Sequence, residues 1–94
     1  MNTKNTLKLK LQAFLSAHMK HTRKSLGDSQ EKMAAKLDVS YRTYVDQDQG
    51  KTLCSTLAFV RYLVVLYKAG KVLPFIESLA ALVDEVDEAD RPPP

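Results

Sequence analysis

The sequence contains little of the chemistry that disulfides, metal sites and catalytic centres need. It holds one cysteine, Cys54, and two histidines, His18 and His21, in 94 residues. A single cysteine excludes a disulfide within the chain and is typical of a reducing compartment. Structural metal sites usually take four ligands, so we expect neither a metal nor a cofactor. Glycine-rich phosphate loops and Ser/His/Asp or Cys/His arrangements of recognisable spacing are also lacking, and we predict that the protein is not an enzyme.

Long apolar runs are lacking too. The longest, residues 62–67, has six residues, whereas a helix that crosses a bilayer needs ~20. The opening MNTKNTLKLK is basic but has no hydrophobic signal-peptide region or small-residue cleavage site. We therefore expect a cytoplasmic protein with no membrane partner, whose length suffices for one domain with a modest core.

Acidic residues are scarce until the C-terminal end. Residues 1–76 hold 13 Lys or Arg and 5 Asp or Glu, a balance of +8, and residues 77–94 hold 1 and 6, a balance of −5. A basic body with an acidic end suits a polyanionic partner that binds away from the C-terminus. Charge alone is equally consistent with solvated faces of opposite sign.

Apolar residues recur at helical spacing along the chain, and this pattern predicts an all-α fold. We predict five helices, at about 6–24, 29–37, 40–49, 55–68 and 74–87. They would form one domain over residues 1–88, and the proline-ended stretch 89–94 is predicted to be a disordered tail.

Residues 29–51 predict two short helices joined by a tight turn. Met33 and Leu37 fall on one apolar face, Ser40 has the character of an N-cap, and Gly50 suits a left-handed helix end. Two short helices with such a turn form a helix-turn-helix, whose second helix can enter the DNA major groove.

With its spacing kept, this stretch resembles the Cro/C1-type helix-turn-helix proteins, the XRE family of prokaryotic and phage repressors. The residues that carry the resemblance are Arg23, Gly27, Ser29-Gln30-Glu31, Met33-Ala34, Leu37, Val39-Ser40, Tyr44, Asp48, Gly50-Lys51 and the apolar helix after Ser55. They cover roughly residues 22–67. The resemblance implies a compact five-helix fold like that of lambda repressor. It also implies a sequence-specific, repressor-like transcriptional regulator that binds double-stranded DNA as a homodimer, with two recognition helices ~34 Å apart.

The resemblance further implies which residues would meet DNA. Four would face the bases: Tyr41, Arg42, Val45 and Asp46. Seven would contact phosphates: Gln30, Thr43, Gln49, Lys51, Lys32, Lys20 and Lys24. Arg42 can bond guanine through two donors, Asp46 can accept from a cytosine amino group, and Val45 can contact a thymine methyl. The lysines would supply affinity without sequence preference.

Three positions would shape the helix-turn-helix itself. Ala34 is small where the two helices need close contact, and Asp38 stands where the family often has glycine. Aspartate is one of the few other residues that tolerates a left-handed backbone. Gln30 would brace the recognition helix as well as meet a phosphate, or it would have a plain capping or solvent role.

The family also pairs an acid at the position of Asp48 with an arginine at that of Arg23, which would make these two a structural ion pair. The chain departs from the family pattern at Asp28 and Gln47, where apolar residues are usual. Leu26 would supply the packing that Asp28 lacks. Gln47 is either more exposed than its counterpart or marks a weaker corner of the core.

The helix at 55–68 is apolar almost all round, so it must be buried on more than one side. The further side would be a subunit interface or the cover given by the fifth helix. An a/d seam in that helix, too short for an independent coiled coil, would pack on helix four within the subunit or across a dimer. The predicted dimer surface comprises Phe59, Tyr62, Phe75, Leu79, Leu82 and Val86.

A second interpretation keeps the scaffold but not strong DNA binding. Asp28, Asp46, Gln47 and the acidic fifth helix favour a protein-interaction module, because an acidic helix can mimic DNA or bind a basic partner. An antitoxin-like protein, which represses its own operon while another surface holds a toxin, is a variant that many proteins of this fold exemplify.

Overall fold

The computed structural model describes residues 3–89, which form five α-helices and no strand. They are α1 (Thr3–Ser25), α2 (Gln30–Leu37), α3 (Tyr41–Asp48), α4 (Thr56–Lys68) and α5 (Val72–Ala89). The predicted all-α, five-helix fold is therefore confirmed. Of the predicted tail, Ala89 ends α5, and residues 90–94 lie outside the described residues, as do residues 1–2 of the predicted domain.

Helix α5 begins two residues before Pro74, earlier than predicted. The first residues of a helix have no backbone partner for their N–H groups, so a proline there removes no hydrogen bond. Within residues 3–89, no helix is both long enough and apolar enough to cross a membrane.

Serines cap the N-termini of three of the helices. Ser29, Ser40 and Ser55 have extended backbones, and each hydroxyl oxygen accepts a 3.1 Å hydrogen bond from the backbone N–H three residues further on. These bonds satisfy amides that would otherwise lack a partner. The predicted N-cap at Ser40 is thus present, and Ser29 caps α2.

The turn between α2 and α3 depends on a left-handed residue. Asp38 ends α2 with φ of 56°, the positive value expected where the family often has glycine. Its backbone N–H donates to Ala35 at 3.1 Å, and that of Val39 donates to Ala34 at 3.0 Å. Only Asp38 to Ser40 separate the two helices, so α3 is held close against α2.

One apolar core joins all five helices. Its largest fully buried apolar side chains are Met19, Met33, Leu37, Tyr44, Tyr62, Leu66 and Phe75. The Phe75 ring contacts Tyr62 edge-on, with centroids 5.6 Å apart, and also the ring of His18 at 4.6 Å. The α5 seam therefore packs within the subunit, against α1 and α4.

Helix α4 is covered on one side only. Its inner side buries Ala58, Tyr62 and Leu66. Its outer side leaves Leu57 79% exposed and Val60 50% exposed. The cover given by α5 therefore does not bury this helix all round, contrary to one of the two expectations for it.

The structure corrects part of the predicted dimer surface. Tyr62, Phe75 and Val86 are at most 2% exposed because they fill the core of the single subunit. They cannot form a surface between subunits without unpacking that core. Phe59, Leu79 and Leu82 are half-buried, and Phe59 and Leu79 line a small apolar cavity with Cys54.

Candidate nucleic-acid interface

Helix α3 has a buried side and an exposed side. Tyr44, Gln47 and Asp48 are buried against the rest of the domain. Arg42 and Gln49 are exposed and Asp46 is half-buried. These last three follow at intervals of four and three residues, so they share the side of the helix opposite the core. We call this stripe of Arg42, Asp46 and Gln49 the α3 outer face.

The C-terminal end of α3 is held through Asp48, whose side chain is only 4% exposed. Its carboxylate accepts hydrogen bonds from the Tyr44 hydroxyl at 3.0 Å and from the Gln30 amide at 3.2 Å. The Arg23 Nε atom lies 3.6 Å from Oδ1 of the same carboxylate. The predicted pairing of Arg23 with Asp48 is therefore present, and Asp48 points into the domain and away from the α3 outer face.

The contact between Arg23 and Asp48 is electrostatic. Arg23 Nε is buried and has no hydrogen-bond partner among the described residues, while Nη1 donates to the Asp28 carbonyl at 3.3 Å. Burial and the adjacent Asp48 carboxylate raise the pKa of Tyr44 far above its ordinary value. Tyr44 therefore stays a neutral donor to Asp48 at physiological pH.

The other end of α3 is held through Gln30. The Gln30 side chain donates to Asp48 and accepts from the Tyr41 hydroxyl at 3.4 Å. It therefore bridges the first and last residues of α3, which is the bracing role expected for it. This arrangement excludes a plain capping role, since Ser29 is the cap.

Helix α1 also holds α3. The Ser16 hydroxyl donates to the Asp48 carbonyl at 2.8 Å, and a Cβ atom at Gly50 would lie 3.4 Å from Ser16 Oγ. Sequence reasoning missed Ser16. A serine in the middle of an amphipathic helix gives no sequence signal for a contact with a residue 32 positions away. Its place at the edge of the apolar stripe of α1 is the only hint of such a contact.

Asp28 forms a second buried acidic site, with a side chain 2% exposed. Its carboxylate contacts Lys36 and lies 3.4 Å from Lys32 Nζ. The hydrogen bond from Lys36 is the main reason that the pKa of Asp28 falls below its ordinary value. This position thus buries a carboxylate whose charge is balanced by two lysines. An apolar side chain is usual here in the family that the sequence resembles. Leu26 does not supply the missing packing, because it is 36% exposed.

Gln47, the other departure from the family pattern, is 4% exposed. The expectation that Gln47 is more exposed than its counterpart in the family is therefore wrong. Its Oε1 atom is buried without a hydrogen-bond partner within residues 3–89, and an unsatisfied buried acceptor costs stability. The second expectation, a weaker corner of the core, fits this geometry.

The predicted base-facing residues do not all lie on one line. Arg42 and Asp46 share the α3 outer face, whereas Tyr41 lies nearer to α2 and donates to Gln30. Gln49, predicted to contact phosphate, lies in line with Arg42 and Asp46 instead. Val45 is half-buried beside this stripe. Within residues 3–89, Arg42 forms no ion pair.

The predicted phosphate contacts fall into two groups. Lys20, Lys24 and Lys51 form no ion pair in the described part of the chain, and Lys20 lies one helical turn from Ser16 and Arg23, the α1 residues that hold α3. Lys32 has an exposed side chain but an ammonium directed at Asp28. The Thr43 backbone and hydroxyl both bond Ser40, so Thr43 completes the cap of α3.

The His18 ring packs against the core, next to Phe75 and Tyr62. Its Nδ1 shares a 2.5 Å hydrogen bond with the Tyr62 hydroxyl, which also bonds Thr22 at 2.9 Å. Burial, followed by the nearby His21 and Lys71, lowers the pKa of His18, and burial raises the pKa of Tyr62 to about 12. Across residues 3–89, no group of three or more His, Cys, Asp or Glu residues could hold a metal ion.

The candidate site is an exposed helix face with one unpaired arginine. Buried and partly buried hydrogen bonds to Asp48 hold one end of the helix, and an exposed hydrogen bond from Tyr41 to Gln30 holds the other. Lysines that form no ion pair within residues 3–89 flank this face. Comparison of the chain with models of known protein families, with curated proteins and with solved structures found no match in any of the three.

Proposed function

We propose that this protein is a sequence-specific DNA-binding transcriptional regulator of the Cro/C1 helix-turn-helix type, repressor-like, which inserts α3 into the major groove and binds a two-fold site as a dimer. The observation that carries the proposal is the burial of Asp48. Its charge is taken up inside the domain by Arg23, Tyr44 and Gln30. Arg42 remains exposed on the opposite side of the same helix, with no ion pair in the described chain.

The distribution of charge supports this function. Asp28 and Asp48 are buried among cationic or hydrogen-bonding groups, so their repulsion of phosphates is reduced. Within residues 3–89, Lys20, Lys24 and Lys51 have no ion-pair partner to give up on binding. Cations that neutralise phosphates release condensed counterions, which supplies affinity that falls with rising salt.

A rigid recognition helix is the other requirement. Base readout needs side chains held within hydrogen-bonding distance of base edges, and a helix held at both ends presents them with little further loss of entropy. Gln30 joins the two ends of α3. Arg42 would then read guanine, and Asp46 would accept from a cytosine amino group.

Selection of bound sequences from a random pool of double-stranded DNA tests the function. We expect enrichment of a sequence with two-fold character, and binding that weakens steeply between ~50 and ~200 mM salt. Failure to bind any DNA at low salt would contradict the proposal.

A second candidate is a protein-interaction module or antitoxin-like partner protein with weak or lost DNA binding. The observation that favours it is Asp46, which lies on the α3 outer face without an ion-pair partner in residues 3–89 and would repel phosphates. Asp46→Asn separates the two functions. For a DNA reader the substitution changes the preferred base at one position, whereas for a module it creates weak binding that ignores sequence.

A further inference from the structure

The outer side of α4 carries a line of apolar side chains that the described part of the chain does not cover. They follow one another at intervals of three, four and three residues: Leu57, Val60, Val64 and Tyr67. In that order they are 79%, 50%, 45% and 73% exposed. The spacing is the a/d spacing of a coiled-coil helix, whose apolar line packs on a second helix. We call these four residues the α4 seam, and such contiguous exposed apolar surface marks an interaction site.

A groove runs beside the seam, between α4 and α2. It has a volume of ≈ 830 Å³. Its lining includes Ala35 of α2, Ala69 after α4, and Leu26. The two alanines leave room between the helices because their side chains are short. A groove of this size can hold several side chains from one face of a docked helix.

The groove is lined by charge of one sign. Its cations are Lys36, Arg61 and Lys68, and no Asp or Glu of residues 3–89 lines it. Lys36 is bonded to the buried Asp28, so its charge is already balanced. Lys68 forms no ion pair within the described residues, and Arg61 lies 3.8 Å from Asp38 with both side chains exposed. An exposed pair contributes little and can be exchanged for a better one, so Arg61 and Lys68 can both pair with a partner.

Arg61 and Lys68 occupy the same place in the two heptads of the seam. Each directly follows a d residue, Val60 or Tyr67, and is therefore an e residue. The two cations are separated by two helical turns, ~10.5 Å along the axis. Residues at e flank the apolar contact between two helices, and their charge selects the charge of the partner. A helix with carboxylates two turns apart beside its own apolar line would meet both cations.

We propose that the α4 seam and its groove bind an acidic amphipathic helix of another protein. Its apolar residues, at a/d spacing, pack on the seam, and its carboxylates pair with Arg61 and Lys68. A second copy of α4 does not have this chemistry. Two α4 helices packed antiparallel through the seam would bring e cations against e cations, and like charges in contact are unfavourable.

This surface is separate from the one proposed to read DNA. Neither Arg42, Asp46 nor Gln49 of the α3 outer face lines the groove. The inference therefore goes beyond DNA binding. Its test contains no DNA, so that the two proposals can fail separately.

Fluorescence anisotropy of the full chain with a labelled synthetic peptide tests the proposal. The probe has two heptads, with leucine at a and d and glutamate at e and g, and is held helical by a staple on the side away from the leucines. The control peptide has lysine in place of each glutamate. We expect the acidic peptide to bind at least about tenfold more tightly than the basic one. No binding of the acidic peptide, or equal binding of both, would overturn the proposal.

Charge reversal in the chain shows whether the preference comes from this site. With Arg61→Glu and Lys68→Glu combined, we expect the basic peptide to bind at least about tenfold more tightly than the acidic one. Lys4→Glu with Lys8→Glu changes the net charge equally at exposed positions of α1, and it should leave the original preference in place. A preference that persists in R61E/K68E, or that disappears in K4E/K8E, would assign it to the charge of the whole chain and contradict the site.

The apolar half of the contact is tested by Leu57→Gln combined with Val64→Gln. We expect the acidic peptide to bind at least about tenfold more weakly to this variant, because two apolar side chains no longer leave water on binding. Far-UV circular dichroism checks that the variant is folded, and unchanged binding would show that the seam is not the site. Sedimentation equilibrium without peptide gives the last comparison. Self-association of the original chain that is lost in L57Q/V64Q would assign the seam to a second copy and reject the acidic helix.

Discussion

Asp48 is the residue on which the position of α3 depends most. Its carboxylate lies within reach of Arg23, Tyr44 and Gln30, and its carbonyl oxygen accepts from Ser16. If the carboxylate is removed, a guanidinium, a hydroxyl and an amide lose their partner in a largely dry environment. Breaking a buried pair costs more than the pair contributes when intact, because an uncompensated charge remains.

Replacement of Asp48 by alanine is therefore expected to lower the free energy of unfolding by ~3 kcal/mol. Asp46→Ala is the matched control, since it removes the same group from the outer face of the same helix and should change stability by less than ~0.5 kcal/mol. Urea denaturation followed by circular dichroism measures both. Equal stabilities for the two variants would show that Asp48 does not hold α3.

Arg42 is expected to contribute to recognition and not to folding. Arg42→Ala should weaken binding to the selected DNA site by ~1–3 kcal/mol and relax the preference at one base position. Lys51→Ala should weaken binding to all sequences alike and reduce the salt dependence. Fluorescence anisotropy with matched and mismatched sites distinguishes the two, and an equal loss on every sequence for Arg42→Ala would reassign Arg42 to a phosphate.

His18 should make stability depend on pH. Burial lowers its pKa in the folded chain, so below the ordinary value of ~6.5 the unfolded chain binds the proton more readily. Stability should therefore fall as the pH is lowered through ~6.5, until the pH reaches the folded-state pKa. Melting temperatures measured between about pH 5 and about pH 7.5 check this expectation. Asp28 stays ionised over that range, because its pKa is low.

The control for this effect is the other histidine. His18→Gln is expected to flatten the dependence of the melting temperature on pH, whereas His21→Gln, at an exposed position, should keep most of it. A dependence that survives in His18→Gln would assign it to another group.

At the scale of the helices, much of the fold could be predicted because the signals are local. Apolar spacing, serine caps and left-handed turn residues act within a few positions of one another, and they located all five helices. The partners of each helix face could not be predicted in the same way. Asp28 and Gln47 look solvent-exposed by residue type, yet both are buried. The apolar outer side of α4 looks buried, yet Leu57 is not.

The junction of α2 and α3 illustrates a packing limit that the sequence did suggest. Ala34 is 3% exposed where the two helices meet. Ala34→Leu should overpack this contact and destabilise the protein by ~1–3 kcal/mol. Ala35→Leu, the same change at the adjacent exposed position, is the control and should have little effect. Chemical denaturation of both variants provides the comparison, and a tolerated Ala34→Leu would mean that the helices can separate without cost.

At the scale of the whole molecule, a single core makes the helices depend on one another. Tyr44 of α3 and Tyr62 of α4 belong to the same buried cluster. No separate core supports the helix-turn-helix within the described residues. We therefore infer that it does not unfold independently of α4 and α5.

Unfolding is accordingly expected to be a single transition. Near-ultraviolet circular dichroism, which reports the buried tyrosines, and far-ultraviolet circular dichroism, which reports helix, should give the same midpoint in urea. The Tyr67→Phe variant is a suitable control for an exposed ring. Two separate midpoints would indicate that part of the domain is independently stable.

The attachment of α3 at both ends has a consequence for how this protein can change. The side chains that fix the helix are those of Asp48, Tyr44, Gln30 and Tyr41. Arg42, Asp46 and Gln49 take no part in that attachment. Libraries that vary these three positions should therefore yield mostly folded proteins with altered ligand preference. Mutations at these three positions could therefore create new specificities without a compensating change elsewhere in the domain.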